Sequence, residues 1–456
     1  MNKKGDILEL KIDNVATGGE GIGRIDGYPV FIENCAIGDT VKIKLNVANK
    51  NYGKGQVLEV IEPSEHRIEP KCRIYKACGG CQWHHVEYKE QLKYKKIIVD
   101  DCFRKFAKIN IPIHDVLPSE NIYNYRCKVQ YPVQQTVNSK RILAGYYRQN
   151  SHELINIKYC PIQPTIIDEI TEFMRSRSQE LGITAYDERT KKGILRHFVF
   201  RYGYSNDKII LTVVINTNKS LKCVEDLCYE LAEKFPSIEG TLINFNTTHS
   251  NLILTNNFEL VTGKDHLIEE LEGRKFKISA GSFFQVNPSA GVKLFNVVEE
   301  MVKTKTENPT ILDVYAGVGS FSIWLKDYAK QITAIEYSSH SSVDANENIK
   351  LNKAEDKIEY IEGDADVILQ DFVSKNISYD VVILDPPRKG CSQEALEATA
   401  NIADKYIIYV SCNPSTLARD TAILAEMNYT PEFIQPVDMF CHTHHIECVM
   451  LFSKNI

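Results

Sequence analysis

The chain of 456 residues is 43% hydrophobic and 25% charged, an ordinary globular composition with length enough for two or three cores. Scattered Pro and Cys exclude collagenous, low-complexity and repeat architectures, and no apolar run approaches the roughly 18 to 20 residues of a membrane helix. With no signal-peptide-like stretch at the start, the expectation is a soluble, cytoplasmic monomer whose net charge of -6 averages over strongly basic segments.

Residues 5 to 61 alternate short apolar runs with Gly-Gly, Asp-Gly and Asn-Tyr-Gly turn signals, the pattern of a small all-β barrel. Lys42, Lys44, Lys50 and Lys54 fall at its tips, and Glu-Pro-Ser at 62 to 64 reads as the exit linker. By fold analogy, residues 1–62 form an OB-like barrel suited to oligonucleotides. Cys72, Cys78 and Cys81 follow as C-x5-C-x2-C around Gly79 and Gly80, and Cys160 stands before Pro161. An odd count of 13 Cys argues against a disulfide framework. Four thiolates suit either a tetrahedral zinc or an iron-sulfur cube. With His84 and His85 adjacent, a Cys3His zinc site is the rival, and unligated core cysteines are the plain alternative.

Residues 71 to 110 hold ten Lys or Arg against four Asp or Glu, residues 121 to 148 hold five against none, and Arg189 to Arg201 holds five more. Such runs mark either a solvated surface or a polyanion-binding face; Lys93, Lys95 and Lys96 are the candidates for phosphate contacts. Strand-like runs (KVQYPVQQ, HFVFRYG, KIILTVVINT) mixed with the helical VEDLCYELAEKF predict a central α+β domain over 63–280. From 281 to 456 strands and helices alternate: TILDVY, ITAIEY, KIEYIEG, DVVILD and YIIYVS, then PEFIQPV and IECVMLF. This α/β pattern predicts a doubly wound, Rossmann-like sheet with its ligands at the carboxyl ends of the strands.

The chemistry sits at those ends. Asp313-Val-Tyr-Ala-Gly-Val-Gly-Ser-Phe321 leaves an apolar strand and enters a helix, with Gly317 and Gly319 permitting close approach of a ligand. Glu336, some twenty residues on, can take both ribose hydroxyls. The third glycine of the dinucleotide fingerprint is missing, and Asp364 ends the third strand. Together these features resemble class I S-adenosylmethionine methyltransferases rather than dehydrogenases.

Asp385-Pro-Pro-Arg388 closes the fourth strand, Ser411-Cys-Asn-Pro414 closes the fifth, and His442-Thr-His-His-Ile-Glu447 opens the last. Amino-group methyltransferases end the strand-four motif in Tyr or Phe, which stacks on the base; Arg388 stands there instead and disfavours an exocyclic amine. A cysteine at the mouth of the fifth strand points to covalent catalysis. Carbon 5 of uracil is a poor nucleophile. A thiolate added to carbon 6 makes an enolate whose carbon 5 attacks the methyl group, and a base then removes the carbon-5 proton so that the thiol is eliminated. Cys412 and Glu447 fit these roles, against the plainer readings of a buried strand cysteine and a surface glutamate.

On these motifs the chain resembles, nearly end to end, the RNA (uracil-C5)-methyltransferases, particularly the 23S ribosomal RNA branch. The resemblance implies a TRAM domain for the barrel, a 4Fe-4S cluster on Cys72, Cys78, Cys81 and Cys160, and S-adenosylmethionine as cofactor. Gln285 in the FFQVN motif, Tyr315, Glu336 and Asp385 would contact that cofactor, beside Gly317, Gly319 and Asp364. Cys412 would be the nucleophile and Glu447 the proton-abstracting base. Phe283 is the candidate for holding an unstacked target uridine. Ribosomal RNA is the expected partner; transfer RNA is the alternative, since relatives acting on it usually lack barrel and cluster. Two positions depart from the pattern: His84 stands where the family commonly has Gln, and Cys441 replaces the Pro expected before HTHHIE, so a fixed φ is lost.

Overall fold

In the stretch TVKIKLNVA the side chains of Val41, Ile43 and Leu45 are buried while Lys42 and Lys44 face solvent, the period of two that gives a strand one dry face. The computed structural model, which describes residues 3–455, closes five such strands into a barrel of order β1-β2-β3-β5-β4. They are β1 (Ile7–Val15), β2 (Gly21–Ile25), β3 (Tyr28–Ile32), β4 (Thr40–Ala48) and β5 (Gly53–Glu62). A Cβ on Gly23 would lie 2.7 Å from the backbone oxygen of Lys11, so only glycine lets β2 pass this close to β1.

Helix α1 (Tyr88–Cys102) follows the cysteine loop, continues through a wider turn at Phe103–Ala107 and stops at Lys108, which takes φ 57°. The sequence boundaries place this helix in the central unit. Its Val99, Cys102 and Phe103 instead join the core formed by Leu312, Leu384 and Leu417 of the C-terminal unit. The chain after it bridges in parallel to Ile434 and Val437, along the edge of that same sheet, through Ile113 and Leu117.

The central sheet is built from β6 (Lys128–Gln135), β7 (Ile142–Tyr147) and β8 (Leu154–Asn156), then β9 (Leu195–Tyr202), β10 (Ile209–Ile215), β11 (Ile238–Phe245) and β12 (Phe258–Gly263). Its order is β12-β11-β10-β9-β6-β7-β8. Every residue of β10, IILTVVI, is buried, as a near-continuous apolar run requires. Helices α2 (Thr165–Glu180) and α3 (Lys222–Lys234) lend Ile167, Ile170, Leu227 and Leu231 to the core that holds Phe198, Leu211 and Val213.

A hairpin of β13 (His266–Leu271) and β14 (Arg274–Ser279) leads to α4 (Pro288–Lys305) and the C-terminal sheet. There β15 (Thr310–Val314), β16 (Gln331–Glu336), β17 (Ile358–Glu362), β18 (Tyr379–Leu384) and β19 (Ala403–Ser411) are parallel, with α5 (Ser320–Leu325), α6 (Ser339–Leu351), α7 (Ala365–Ser374) and α8 (Gln393–Ile402) between them. Then follow α9 (Pro414–Glu426), β20 (Tyr429–Val437) and β21 (Glu447–Lys454). The order β17-β16-β15-β18-β19-β21-β20 reverses direction between β15 and β18, and that switch opens a crevice at their carboxyl ends. Among the described residues no helix is long and apolar enough to cross a membrane.

Candidate active site

Tyr315, the first residue past β15, takes φ 66°, a left-handed value that is costly for a residue with a Cβ. Gly317 at φ 58° and Gly319 at φ 80° complete the turn into α5. Nothing lies within 4 Å of a Cβ built on Gly317, so the turn borders space that a ligand can enter. Glu336 at the end of β16 accepts from Gly317 N at 3.0 Å and from Ser338 N at 2.7 Å. Asp313 is buried, its Oδ2 held by Ser322 N and Oγ at 3.1 and 2.6 Å, while its Oδ1 has no partner. Burial pushes its carboxyl up to about 7 against those hydrogen bonds, and Glu336 adds to the shift. Asp385, just past β18, is likewise pushed up to about 7, by burial and then by Asp313 and Glu336. Two carboxyl groups of raised pKa beside the Glu336 side chain make a crevice suited to a cationic ligand. Asp364 stands at the next strand end and caps α7 through Asp366 N and Val367 N.

The FFQVN motif crosses from the central sheet to α4. Phe284 packs on Phe276, ring centroids 5.4 Å apart, which turns its neighbour Phe283 outward to 58% exposure. Gln285 is half-buried, and Val286 O accepts from Cys127 N at 2.7 Å. Asn287 caps α4 and donates to Ser119 Oγ and to Met439 O, at 3.0 and 3.2 Å.

Cys412 and Glu447 are brought to neighbouring strand ends by the register of β19 and β21. In the antiparallel pair of β19 and β21, Ser411 faces Cys448; Cys412 follows directly on the first and Glu447 directly precedes the second, so both stand at the same end of the strand pair. Burial, and then the Glu447 carboxylate, push the Cys412 thiol up to about 11, while the Arg388 guanidinium pulls the other way. Glu447 is only 6% exposed, and burial with the Asp385 charge holds its carboxyl well above the usual range. A carboxyl of raised pKa is a better base for a carbon acid than an exposed one. Asn413, the cap of α9, donates from Nδ2 to Arg388 O at 3.0 Å and so ties the strand-four loop to the strand-five loop. In the sequence Arg388 stands out only as the absence of a stacking aromatic; the structure makes it the cation that favours the thiolate. Removing it as Arg388→Met should move the midpoint for alkylation of Cys412 by iodoacetamide above about 11. An unmoved midpoint would show that Arg388 does not act on the thiol.

The loop carrying Glu447 is clamped from three sides. His442 takes φ 65°; its Nε2 donates to Ile122 O at 3.0 Å, which leaves Nδ1 to accept from Gln91 Nε2 at 3.2 Å, while Gln91 Oε1 accepts from His442 N at 2.9 Å. Gln82 N and Trp83 N both donate to His442 O, and the His84 ring stacks on it with centroids 4.3 Å apart. From the barrel, Thr17 O accepts from His444 Nδ1 at 3.0 Å, and Gly19 O accepts from Trp83 Nε1 at 2.9 Å. Gln91, Trp83 and Thr17 carry no motif signal in the sequence, because their partners lie hundreds of residues away. Cys441, in the place of the expected Pro, is buried with its carbonyl held by Tyr125 Oη at 3.0 Å. Tertiary contacts thus fix the backbone where a ring is lacking.

Cys72, Cys78, Cys81 and Cys160 border one cavity with His84, Tyr146 and Tyr159. Gly79 is required there, since a Cβ would lie 2.8 Å from Gln149 N and from Tyr147 O. Burial pushes all four thiols up, that of Cys160 to about 12, so thiolates in this cavity need nearby cations; the Arg126 guanidinium favours the Cys81 thiolate. Among the described residues no three His, Cys, Asp or Glu side chains converge as ligands of one ion.

Residues 87–455 match the protein family described as tRNA (uracil-5-)-methyltransferase. The chain belongs to that family. Residues 2–58 match the TRAM domain, which the closed barrel embodies. The chain is similar to an uncharacterized RNA methyltransferase of Clostridium tetani, 37% identical over 451 residues that cover 99% of this chain and 97% of the relative. It is 34% identical over 453 residues to one of Bacillus cereus, covering 99% and 97%. In fold it resembles the Pyrococcus abyssi tRNA (uracil-54, C5)-methyltransferase solved with S-adenosyl-L-homocysteine: TM-score 0.76, 22% identity, 98% of this chain and 100% of that one.

In this member of the (uracil-5-)-methyltransferase family the structure corrects the reading of the basic helix. Lys95 is fully buried, paired to Asp438 and donating to Phe440 O at 3.0 Å, so no phosphate can reach it. Lys93 and Lys96 are exposed but paired with Glu90 and Asp115; exposed pairs are weak enough to exchange for other anions.

Proposed function

We propose that the protein transfers the methyl group of S-adenosylmethionine to carbon 5 of a uridine in 23S ribosomal RNA through a covalent adduct with Cys412. The observation that carries this reading is the placement of Cys412 and Glu447 at the adjoining ends of β19 and β21, within reach of each other's charge and of Asp385. S-adenosylmethionine supplies an electrophilic methyl group on a sulfonium. Tyr315, Gly317, Gly319, Glu336, Asp364, Asp385 and Gln285 are the residues that would hold it. Cys412, its thiolate favoured by Arg388, adds to carbon 6; Glu447 takes the carbon-5 proton afterwards; exposed Phe283 offers a face to the unstacked base.

Because burial pushes the Asp313 and Asp385 carboxyls up to about 7, binding of the cationic donor should tighten as pH rises from about 6 to about 8, with proton release. Calorimetric titration in buffers of different ionisation enthalpy checks this; pH-independent affinity without proton release would remove both carboxyls from the donor site.

A transfer RNA target is the second reading, favoured by the family's description and by the Pyrococcus abyssi fold match, which spans the barrel as well. Mapping 5-methyluridine in 23S ribosomal and transfer RNA from a deletion strain decides. Loss in ribosomal RNA supports the first reading, loss in transfer RNA alone moves the assignment to the second, and loss in neither overturns both.

We further propose that Cys72, Cys78, Cys81 and Cys160 hold a 4Fe-4S cluster with a structural role, since methyl transfer needs no electron carrier. Anaerobically purified protein should be brown and contain iron. A colourless preparation with one zinc per chain would refute the cluster.

A further inference from the structure

Two basic runs far apart in the sequence, one within residues 121 to 148 and one from Arg189 to Arg201, meet across a single groove. It encloses about 530 Å³ between the β6–β7 turn, the loop that precedes β9, and Tyr147 at the end of β7. Lys140 and Arg189 line it, and Arg141, Lys191 and Lys192 adjoin them in the chain. Among the described residues none of these five takes part in an ion pair, although Arg148 beside them is paired with Glu153. On helix α1 and the wider turn after it most cations are taken: Lys93, Lys95, Lys96, Arg104 and Lys105 are paired with carboxylates of this chain, and Lys89 alone has no ion pair among the described residues of that helix. The two acids in the groove are engaged: Asp187 Oδ1 accepts from Arg189 N and Thr190 N at 2.8 and 3.0 Å, and Glu188 is paired with His152.

The floor is built, and two of its buried polar atoms have no partner. Arg196, 7% exposed, donates from Nη1 to Asn246 O and Thr248 O at 2.7 and 2.6 Å, and its guanidinium lies 4.6 Å from the centroid of the Tyr186 ring. Its Nε has no partner, and neither has Nδ1 of the adjacent His197. Burial pushes the His197 imidazole down to about 4, so the ring is neutral at pH 7, with one nitrogen to donate and one to accept. Tyr147 supplies an aromatic wall. Cations at the rim, an aromatic face and unpartnered donors and acceptors in the floor are the parts that recognise an unpaired nucleotide; an acidic peptide would use only the rim.

We propose that this groove binds a single-stranded nucleotide of the RNA substrate outside the uridine that is methylated, with its base against Tyr147 and its flanking phosphates on Lys140, Arg189 and Lys192. The proposal rests on RNA being the substrate. The test compares the wild-type protein with the exposed triple variant K140E/R189E/K192E, using transcripts of a 23S ribosomal RNA domain and of a transfer RNA at several salt concentrations. For the RNA that the wild type binds, the variant should bind about tenfold or more weakly at low salt, with the slope of log Kd against log salt flatter by roughly two. Thermal unfolding and kcat at saturating RNA should be unchanged while KM rises. Tyr147→Leu should weaken binding about tenfold without altering the slope, since stacking releases no counterions. A photoreactive benzoylphenylalanine at Val137, which is 83% exposed on the groove wall, should cross-link to that RNA. Unchanged affinity and slope in the triple variant, including the case in which only binding of an acidic protein is lost, overturn the proposal. Failure of the wild type to bind either RNA overturns the substrate reading itself, and the groove with it.

Discussion

Glu447→Gln protein incubated with substrate RNA and S-adenosylmethionine is expected to run as a slow species on a denaturing gel, with methylated RNA bonded to Cys412. The order of steps demands it. Addition of the thiolate to carbon 6 and methylation at carbon 5 precede any need for the base; only elimination requires loss of the carbon-5 proton. Glu447 is buried, acts on the Cys412 thiol, and is held in a raised pKa range by burial and Asp385, so under the proposed mechanism its loss removes the proton acceptor and leaves Cys412 in place. Turnover should fall by about 10² to 10⁴, the usual worth of a positioned general base. The species should be absent without the methyl donor and absent when Cys412 is also replaced. Cys412→Ala alone should neither methylate nor form any covalent complex. Normal turnover by the Glu447 variant with no trapped species, or methylation by the Cys412 variant, would refute the covalent mechanism.

The largest effect on stability is expected from Lys95→Met. Lys95 and Asp438 are both fully buried and paired, and Asp438 also accepts from Tyr88 Oη at 2.8 Å and from Phe440 N at 3.1 Å. Removing the lysine leaves a buried carboxylate with no cation. Breaking a buried pair from one side costs about 3 to 5 kcal/mol, to be read from the urea midpoint at constant m-value. Replacing both partners, as Lys95→Met with Asp438→Leu, should recover much of the loss, because two apolar groups leave no charge uncompensated. The single variant should also lose activity at temperatures where it remains folded, since Phe440 O is one of the anchors of the His442 loop. A loss below about 1 kcal/mol in the single variant would mean that solvent reaches Asp438.

What was legible in the sequence is local. The barrel follows from apolar alternation and Gly-Gly and Asp-Gly turns. The doubly wound sheet follows from strand and helix alternation, because side-chain period and turn chemistry are written residue by residue. The motifs at the strand ends were legible for the same reason: Asp313 to Phe321, DPPR, SCNP and HTHHIE are contiguous stretches. The sequence shows helix α1 as a basic helix within 63–280 and leaves its packing partner open, which the structure supplies in the core of Leu312, Leu384 and Leu417.

By itself the sequence determined the fold class of the C-terminal unit, the barrel, the family and the candidates Cys412 and Glu447. Only the tertiary structure decided that these two meet at the adjoining ends of β19 and β21, that Gln91, Trp83 and Thr17 clamp the loop between them, and which cations are free. Lys93, Lys95 and Lys96 look alike in the chain. Lys95 is buried on Asp438, 343 residues away, while Lys140 and Arg189 meet at a groove rim that no linear run of charge reveals. Burial and ion pairing are set by contacts distant in sequence, so a count of charges along the chain predicts the field of a segment and not the availability of any one side chain.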